Sequence, residues 1–562
     1  MKESPWLSFY DPQVPAQIDF PNKTLVQVFE DIALQFPSAI AIHFFSYQQT
    51  YRRLHQLVNQ FANLLFKNGF QPGMRVALYL PNVPAVPIVY YGALKAGAVI
   101  TQLNPLYSST EAEFQLKDSD AQYLVVLDRF LPLIQTIQGH LKLKKIWVCG
   151  IQDFLPFPLN RLYQLKSMRE KTWVSWRSTE VIRPFSKELR TASSECPSSQ
   201  LSLDAPALFQ YTGGTTGIAK GVILTHRNLL ANALQVRHWF PTLKQGEEKI
   251  LAVIPIFHCY GMTVGMNLSV VLGASMILLP KFDVQQVMEA IQKYKPSLFP
   301  GVQAMYVAIN QHPKTPRYNL KSVKACISGA GPLHQEVQKK FEEITGGKLV
   351  EGYGLTEASP VTHANPIYGQ RKMGSIGIPL SGTESKIVDL ETGQKDLASG
   401  EIGELVIRGP QVMQGYLNHP EETQWVLRDG WLYTGDIAYM DDEGFFFVVD
   451  RKKDMIKVGG ENVYPRDVEE VLFQNDKIKD CVVVGIPDSS FVERVKAYVV
   501  LKSAMSATES EIIEFCKLKM AKYKVPREVE FRQELPKNLV GKNLRRVLVH
   551  EANQKNVKSG NL

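Results

Sequence analysis

Residues 211–221 read YTGGTTGIAKG: four glycines, three threonines and one lysine. Glycines let backbone N–H groups converge on an anion, and threonine hydroxyls add donors or a metal ligand. Lys220 supplies a point charge. The chemistry suits phosphate, but the spacing is not that of a Walker P-loop, which needs Gly, four residues and then Gly-Lys-Ser/Thr. Counted from Gly213 or Gly214, the second glycine of that motif would fall on Ile218 or Ala219, and Lys220 is followed by Gly221 rather than by a hydroxyl. A plain surface loop is the competing reading. The ordering of three hydroxyls and a lysine among the glycines favours phosphate.

The flanks carry the fold. LFQ (208–210) enters as a strand and HRNLLANALQV (226–236) leaves as a helix. The same alternation runs through the first 440 residues. VALYL (76–80), QYLVVLD (122–128), KIWVCG (145–150), KILAVIP (249–255) and SMILLP (275–280) read as buried strands, and LVQVFEDIALQF (25–36) and LHQLVNQFANLLFKNG (54–69) have helical spacing. Such alternation predicts α/β layers with mainly parallel sheets. At 562 residues the chain exceeds one ordinary domain. A boundary follows the strand DEGFFFVVD, at the charged turn DRKKD (450–454); beyond it DCVVVGIP, RVKAYVVLK and the helix SATESEIIEFCKLKMAKY form an α+β pattern. The expected architecture is a large multi-subdomain N-terminal domain (1–449), a hinge (450–455) and a small mobile α+β C-terminal domain (456–562).

Hydrophobic residues make up 45% and charged residues 21%, as in a globular protein. The net charge of +8 is mild for this length; it fits anionic ligands or an anionic membrane and does not argue for nucleic acid. No RNP-like motif, zinc finger or long Lys/Arg block is present. The six cysteines (149, 196, 259, 326, 481 and 516) contain no CxxC pair, and four lie in apolar contexts; we expect neither disulfide frame nor zinc site, and a reducing compartment. MKESPWLSFYDPQVP lacks the apolar run of a signal peptide. Met262–Leu279 has eighteen residues without a charge, enough for a membrane span, yet Gly265, Asn267, Ser269 and Gly273 favour a buried helix, turn and strand. RLYQLKSMREKTWVSW (161–176) reads as a basic surface helix, solvated or resting on a membrane.

Four further segments carry chemistry. In CISGAGPL (326–333) the backbone carbonyls of Gly329, Ala330 and Gly331 can reach a purine, which needs a slot without side chains; a plain turn fits equally. In EGYGLTEASP (351–360) Gly352 and Gly354 flank Tyr353, whose ring can stack on a base, and Thr356 and Glu357 follow. A carboxylate beside phosphate is repelled unless it holds a cation, so Glu357 is a Mg²⁺ ligand candidate; an N-capping Thr-Glu pair is the alternative. In GWLYTGDIAYMDDEGFFFVVDRKKDMIKVGGENVYP (430–465) Asp436 can accept both hydroxyls of a ribose, and Arg451 lies between Asp450 and Asp454. A solvated charged turn explains DRKKD as well, but not its place at the boundary ahead of Gly459-Gly460, which suits a rotating domain. In LPKNLVGKNLRR (535–546) Lys542 can reach a reacting phosphate; read alone, the segment is a surface basic patch.

Together and in this order, the five segments resemble the adenylate-forming superfamily of acyl-CoA synthetases, luciferases and non-ribosomal peptide adenylation domains. The likeness runs from LNPLYSSTE (103–111) to GKNLRR (541–546). YTGGTTGIAKGVILTHRNLLAN and DGWLYTGDIAYMDDEGFFFVVDRKKDMIK are most similar to bacterial long-chain fatty-acid–CoA ligases. The resemblance implies that a fatty carboxylate attacks the α-phosphate of ATP, giving acyl-adenylate and pyrophosphate, and that coenzyme A then displaces AMP. A carboxylate is a poor electrophile, and the mixed anhydride provides a leaving group; the first barrier is anion meeting anion, so the protein must supply positive charge and donors.

Carried over residue by residue, the resemblance implies that Thr212, Gly213, Gly214, Thr215, Thr216 and Gly217 cradle pyrophosphate with Lys220 alongside, and that Thr216 or Thr215 positions Mg²⁺ with Glu357. Gly329, Ala330 and Gly331 frame adenine with Tyr353 between Gly352 and Gly354, next to Thr356. Asp436 and Arg451 bind ribose. Lys542 contacts the α-phosphate and carboxylate in the first step only, Lys453 is the hinge, and Gly459-Gly460 then meets the pantetheine thiol. His258 lines the acyl entrance and Met262 gates it. Fatty acid, ATP and coenzyme A are the expected partners, with a homodimer and a peripheral contact at the inner face of the membrane as further expectations for a cytoplasmic enzyme. Three departures bear on chain length: GIAKG lacks a proline, KVGGENVYP is closer to medium-chain or aryl-acid ligases, and IHFFSYQQTYRRL lacks the usual glycine and leucine. A medium-chain or aryl-acid ligase, an acyl-AMP ligase loading a carrier protein, and a non-catalytic lipid-binding protein are the alternatives.

Overall fold

The computed structural model describes residues 4–197, 201–212, 219–458, 461–488, 492–537 and 543–558. The chain divides into two compact units, Met1–Glu384 with Ile407–Leu432, and Ser385–Val406 with Tyr433–Leu562.

The first unit is α/β. Among the described residues one sheet has eight strands, in the order Gly415–Tyr416, Lys220–Thr225, Pro206–Thr212, Val99–Gln102, Arg75–Tyr79, Ala121–Leu127, Lys145–Cys149 and Ile182–Pro184. From Pro206–Thr212 onward every neighbour is parallel; the other two pairings are antiparallel. The central strands are near-continuous apolar runs because helices cover both faces of such a sheet. Ala77, Tyr79, Leu124 and Val126 share one buried cluster with Leu116 and Ile134 from neighbouring helices.

Beside it run two four-stranded sheets. One orders Lys249–Ala252, Ser275–Leu278, Ile40–Phe44 and Tyr47–Thr50; the other orders Ala325–Ser328, Lys348–Gly354, Val361–Ala364 and Ile378–Pro379. Leu298 bridges them, pairing in parallel with Ile250 and Ala325. The uncharged stretch from 262 folds as helical turns to Val271, then a left-handed Gly273, then the strand Ser275–Leu278, all buried. No helix among the described residues is long and apolar enough to cross a membrane.

The second unit is α+β. The strands Glu461–Val463, Ile456–Val458, Val492–Leu501 and Ile478–Asp488 form a sheet, with Glu528–Phe531 added beside Val492–Leu501. Strand period two explains its two cores. Val495, Ala497 and Val499 pack with Val468, Leu472, Ile512 and Cys516 from the helices Pro465–Phe473 and Glu509–Lys517. Tyr498 and Val500 face the other way, onto Leu548 and Ala552 of the helix Arg545–Lys558. Of the six cysteines only Cys196 is exposed, one more buried thiol than the sequence contexts suggest.

Candidate active site

The YTGGTTGIAKG segment joins two antiparallel strands, with Thr212 opposite Lys220 and Tyr211 opposite Gly221. These flanking strands pair as a β-hairpin ladder, and the expected helix starts only after the return strand Lys220–Thr225. That strand begins Lys-Gly, which masks the VIL run that follows. Thr225 then caps the helix His226–Trp239: its hydroxyl accepts from the Asn228 N–H at 3.2 Å, and Asn228 Oδ1 accepts from the Thr225 N–H at 2.9 Å. Gly213, Gly214, Thr215, Thr216 and Gly217 lie outside the described residues, as do Gly459, Gly460 and Lys542.

Lys220 is buried. Its ammonium pairs with Glu422 and stands 5.4 Å from the centre of the Tyr416 ring. Tyr416 lies on the short strand Gly415–Tyr416, opposite Val222, and its hydroxyl donates to Glu357 Oε1 at 2.8 Å. His419 Nδ1 is 3.3 Å from the other Glu422 oxygen. One tyrosine therefore links the lysine of the glycine-rich hairpin to the candidate metal ligand. Tyr416 and Glu422 sit in GYLNHPEET, a polar run without periodicity, and nothing in the sequence marks them.

Glu357 lies in the single 3₁₀ turn Thr356–Ala358, and Leu355 occupies the capping position without a side-chain cap. The capping pair considered for Thr356-Glu357 is not formed. Instead the Met413 N–H donates to the Glu357 carbonyl at 2.8 Å, and Thr356 Oγ1 stands 3.3 Å from Cys259 Sγ. Burial pushes that thiol up to about 12, so it stays protonated. Cys259 and His258, whose Sγ and Nδ1 are 3.8 Å apart, thus do not form a thiolate nucleophile pair.

His258 Nδ1 accepts from the Tyr260 N–H at 3.2 Å and caps the turn Cys259–Gly261. The backbone then widens into the π-helical stretch Met262–Asn267, an irregularity frequent at functional sites. Met262 is fully buried, and its sulfur accepts from Gln102 Nε2 at 3.5 Å. Thr263 Oγ1 donates to the Ser359 carbonyl at 2.7 Å, tying this stretch to the turn after Glu357. Behind it lies a small apolar cavity lined by Phe240, Val264, Leu268, Leu298 and Cys326.

Strands Ala325–Ser328 and Lys348–Gly354 are parallel with Ser328 opposite Glu351, so Gly329–Gly331 follow the end of the first strand while Gly352–Gly354, still paired with Val361–Ala364, run on past it at the same carboxyl end. In parallel α/β sheets this carboxyl edge is where ligands bind. At Gly329, Gly352 and Gly354 there is no room for a side chain, whereas Gly331 faces open space. A Cβ on Gly329 would stand 3.0 Å from the Tyr260 ring, and one on Gly354 would run into the Pro360 carbonyl. Ala330 is left-handed, φ +64°. Tyr353 is half-buried and meets His363 edge-on at 5.8 Å. The first unit thus brings together Thr212, Lys220, His258, Met262, Gly329, Ala330, Gly331, Gly352, Tyr353, Gly354, Thr356 and Glu357.

In the second unit Asp436 lies opposite Arg451 on adjacent strands, and Arg451 Nε is 2.7 Å from its Oδ1. The DRKKD turn is solvated only in part, at Lys452 and Lys453. Asp450 is buried and accepts from the N–H groups of Arg451 at 2.7 Å and Arg466 at 2.8 Å. Arg545, at the start of the last helix, reaches Glu469 at 2.6 Å, Asp454 at 3.1 Å and Asp450 at 3.5 Å. Burial pushes the Asp450 and Glu469 carboxyls above their ordinary range, and Arg545 opposes that rise. Lys452 pairs with Glu404 at 2.8 Å, while Lys453 is exposed. Arg545 sat unnoticed in the apparent basic patch, because its partners are far away in sequence.

Residues 29–417 match the family model described as AMP-binding enzyme, and residues 467–542 match the one described as AMP-binding enzyme C-terminal domain. The chain belongs to the AMP-binding enzyme family. This AMP-binding enzyme is 47% identical over 552 residues to the long-chain-fatty-acid–CoA ligase of Bacillus subtilis, covering 98% of each chain. Among solved structures it resembles ATP-bound MatB from Rhodopseudomonas palustris, with TM-score 0.83, 27% identity and coverage of 94% of this chain and 98% of that one. It also resembles the Mycobacterium tuberculosis fatty acyl CoA synthetase, with TM-score 0.73, 27% identity and coverage of 95% and 99%.

Proposed function

We propose that this AMP-binding enzyme is a long-chain fatty-acid–CoA ligase. A fatty carboxylate oxygen attacks the α-phosphorus of ATP, the bond to the β-bridging oxygen breaks, and pyrophosphate leaves. The sulfur of coenzyme A then attacks the acyl carbon, the bond to AMP breaks, and the thiol proton is released. The observation that carries this reading is the Lys220–Tyr416–Glu357 cluster, which sets a buried cation and a carboxylate on either side of one phenol beside the threonine-rich hairpin.

Lys220 would exchange Glu422 for the pyrophosphate oxygens, with Thr212, Gly213, Gly214, Thr215, Thr216 and Gly217 donating around them. The bare edge at Gly329, Ala330, Gly331, Gly352 and Gly354 would take adenine against Tyr353, and Asp436 with Arg451 would take the ribose. Mg²⁺ fits the donors present. No cluster of three or more His, Cys, Asp or Glu residues suited to a metal occurs among the described residues, and Mg²⁺ in nucleotide sites uses one or two carboxylates plus phosphate oxygens and water. Glu357, with one oxygen on Tyr416 and the other uncommitted to it, and Thr216 would hold the ion, which neutralises phosphate charge when bound. Lys542 would stabilise the first transition state. Rotation about Lys453 would then withdraw Lys542 and bring Gly459-Gly460 to the thiol.

His258 and Met262 would open toward the apolar cavity, where the acyl chain begins. A medium-chain or aryl acid is the second reading, supported by the stretch KVGGENVYP and by the likeness to the anthranilate CoA ligase AuaEII. Contact with the inner face of the membrane and a homodimer complete the proposal.

The test is Lys542→Ala assayed in both halves. We expect adenylation to fall by at least about a hundredfold, while supplied acyl-AMP is still converted to acyl-CoA. Equal loss in the two halves contradicts the alternating roles of the second unit.

A further inference from the structure

One carboxylate fastens the Thr-Gly step before Asp436 to the charged turn at 450–454. Glu404 lies in the strand Gly403–Arg408, beside the strand Trp431–Met440, and is buried. Its Oε1 accepts from the Gly435 N–H at 3.1 Å. Its Oε2 accepts from the Lys452 ammonium at 2.8 Å. The Lys452 N–H in turn donates to the Gly435 carbonyl at 2.9 Å. Glu404, Gly435 and Lys452 thus close a ring of hydrogen bonds, and all three belong to the second unit. Next to the ring, the Thr434 hydroxyl donates to the Leu405 carbonyl at 2.8 Å and accepts from the Asp436 N–H at 3.1 Å.

The ring is stronger than its surface position suggests. An exposed lysine and an exposed carboxylate contribute little to each other. Here the Glu404 side chain is only 8% exposed, against 42% for Lys452. Removing the cation would leave a buried charge without compensation, so the pair stays closed. Packing does not replace it at Gly435. That residue is left-handed, φ +70°, and no atom lies within 4 Å of where its Cβ would stand. Hydrogen bonds, not crowding, therefore set the backbone that leads into Asp436.

The position of the ring along the chain gives it a consequence. Arg451, one residue before Lys452, pairs with Asp436 at 2.7 Å. Lys453, one residue after it, is the proposed hinge. A rotation that begins at Lys453 leaves everything up to Lys452 fastened to the Asp436 strand. We infer that Glu404 is a positioning residue that, through Lys452, keeps Arg451 and Asp436 together on the ribose while the chain beyond Lys453 turns. The inference rests on the ligase reading above and adds a role to it: acyl-AMP is retained between the two half-reactions and not lost to water.

Leakage of acyl-AMP tests it. The full chain turns over palmitate, ATP, Mg²⁺ and coenzyme A, and the acyl-AMP that passes a filter retaining the protein is measured against the acyl-CoA formed. Glu404→Gln keeps an acceptor for Gly435 and loses the ion pair; Lys452→Met loses the cation. Each raises the leaked fraction by about tenfold, the equivalent of one charge-assisted hydrogen bond. Lys452→Arg, which keeps the cation, leaks as the wild type does. Because the leak is a ratio, a variant that folds only in part still reports it from its folded molecules. A pair that served the fold alone would lower the melting temperature and leave the ratio unchanged. An unchanged ratio in Glu404→Gln and Lys452→Met, with normal wild-type turnover, overturns this inference alone. So does leakage from Lys452→Arg equal to that from Lys452→Met. A wild type that forms neither acyl-AMP nor acyl-CoA removes the ligase reading and this inference with it.

Discussion

The two units hold their candidate site residues by different means. In the first, Glu357 is fixed by close packing and by hydrogen bonds to mostly neutral groups: the Tyr416 hydroxyl, the Met413 amide and the Thr263–Ser359 tie beside it. In the second, the residues around Asp436 are held by charge. Arg451 pairs with Asp436, and Arg545 joins Asp450, Asp454 and Glu469. The contrast follows from what each must do. A slot for a flat base needs backbone that cannot drift, and crowding beneath Gly329 and Gly354 provides that. A small domain proposed to move as one body needs its own internal frame. Arg545 supplies one by clamping the start of the last helix, three residues past Lys542, to the 450–454 turn.

The first way to break this comparison has the largest expected effect. Arg545→Met leaves three carboxylates facing one another without a cation and should destabilise the second unit by about 4 kcal/mol. Hydrogen exchange should report it as lost protection in the helix Arg545–Lys558 and the strand Ile478–Asp488, with the eight-stranded sheet of the first unit unchanged. Equal loss in both units would deny the separate frames.

Next is Glu357→Gln. The amide carbonyl can still accept from Tyr416, so folding should be retained, while an anionic oxygen is lost; kcat/KM should fall by about a hundredfold. Activity within a few-fold of wild type would remove Glu357 from the chemistry.

The third prediction uses pH. Burial lowers His226 to about 4 and His363 to about 3, from an ordinary 6.5, and both belong to the first unit. Between pH 6.5 and about 4 the unfolded chain therefore binds more protons than the folded one, and the first unit loses stability as pH falls, on the order of 2 kcal/mol per histidine. In the second unit Asp450 and Glu469 are shifted upward by burial, so their protonation works in the opposite direction. Exchange protection should fall on acidification in the first unit before the second. His226→Gln with His363→Gln should flatten that dependence.

Smallest is Tyr416→Phe. It keeps the ring beside Lys220 and removes one hydrogen bond, so about 1 kcal/mol, or a several-fold loss of kcat/KM, is expected. No change would mean that the phenol does not orient Glu357.

How much of this was visible in the sequence depends on range. The strands VALYL, QYLVVLD and KIWVCG and the α/β class follow from apolar periodicity, a local property. So do the glycine pairs at 352–354 and the Thr-Gly step before Asp436, whose backbone needs are also local. Three things were hidden. The return strand Lys220–Thr225 starts with a charge and a glycine and hides its ladder partner. Tyr416 and Glu422 gain their roles only when an edge strand brings them to Lys220. Arg545 looks like one cation among many until burial places it among three carboxylates. The last two were missed because the partner that gives the residue its meaning is distant along the chain; the return strand was missed because its opening Lys-Gly interrupts the apolar run.

The most direct test of the central claim is fatty-acid-dependent exchange of labelled pyrophosphate into ATP without coenzyme A, followed by addition of coenzyme A to the same mixture. The account predicts exchange that requires both a fatty acid and Mg²⁺, then conversion of the accumulated acyl-AMP to acyl-CoA. Absence of exchange from acetate through oleate and with an aryl acid, with no acyl-CoA formed, would contradict it.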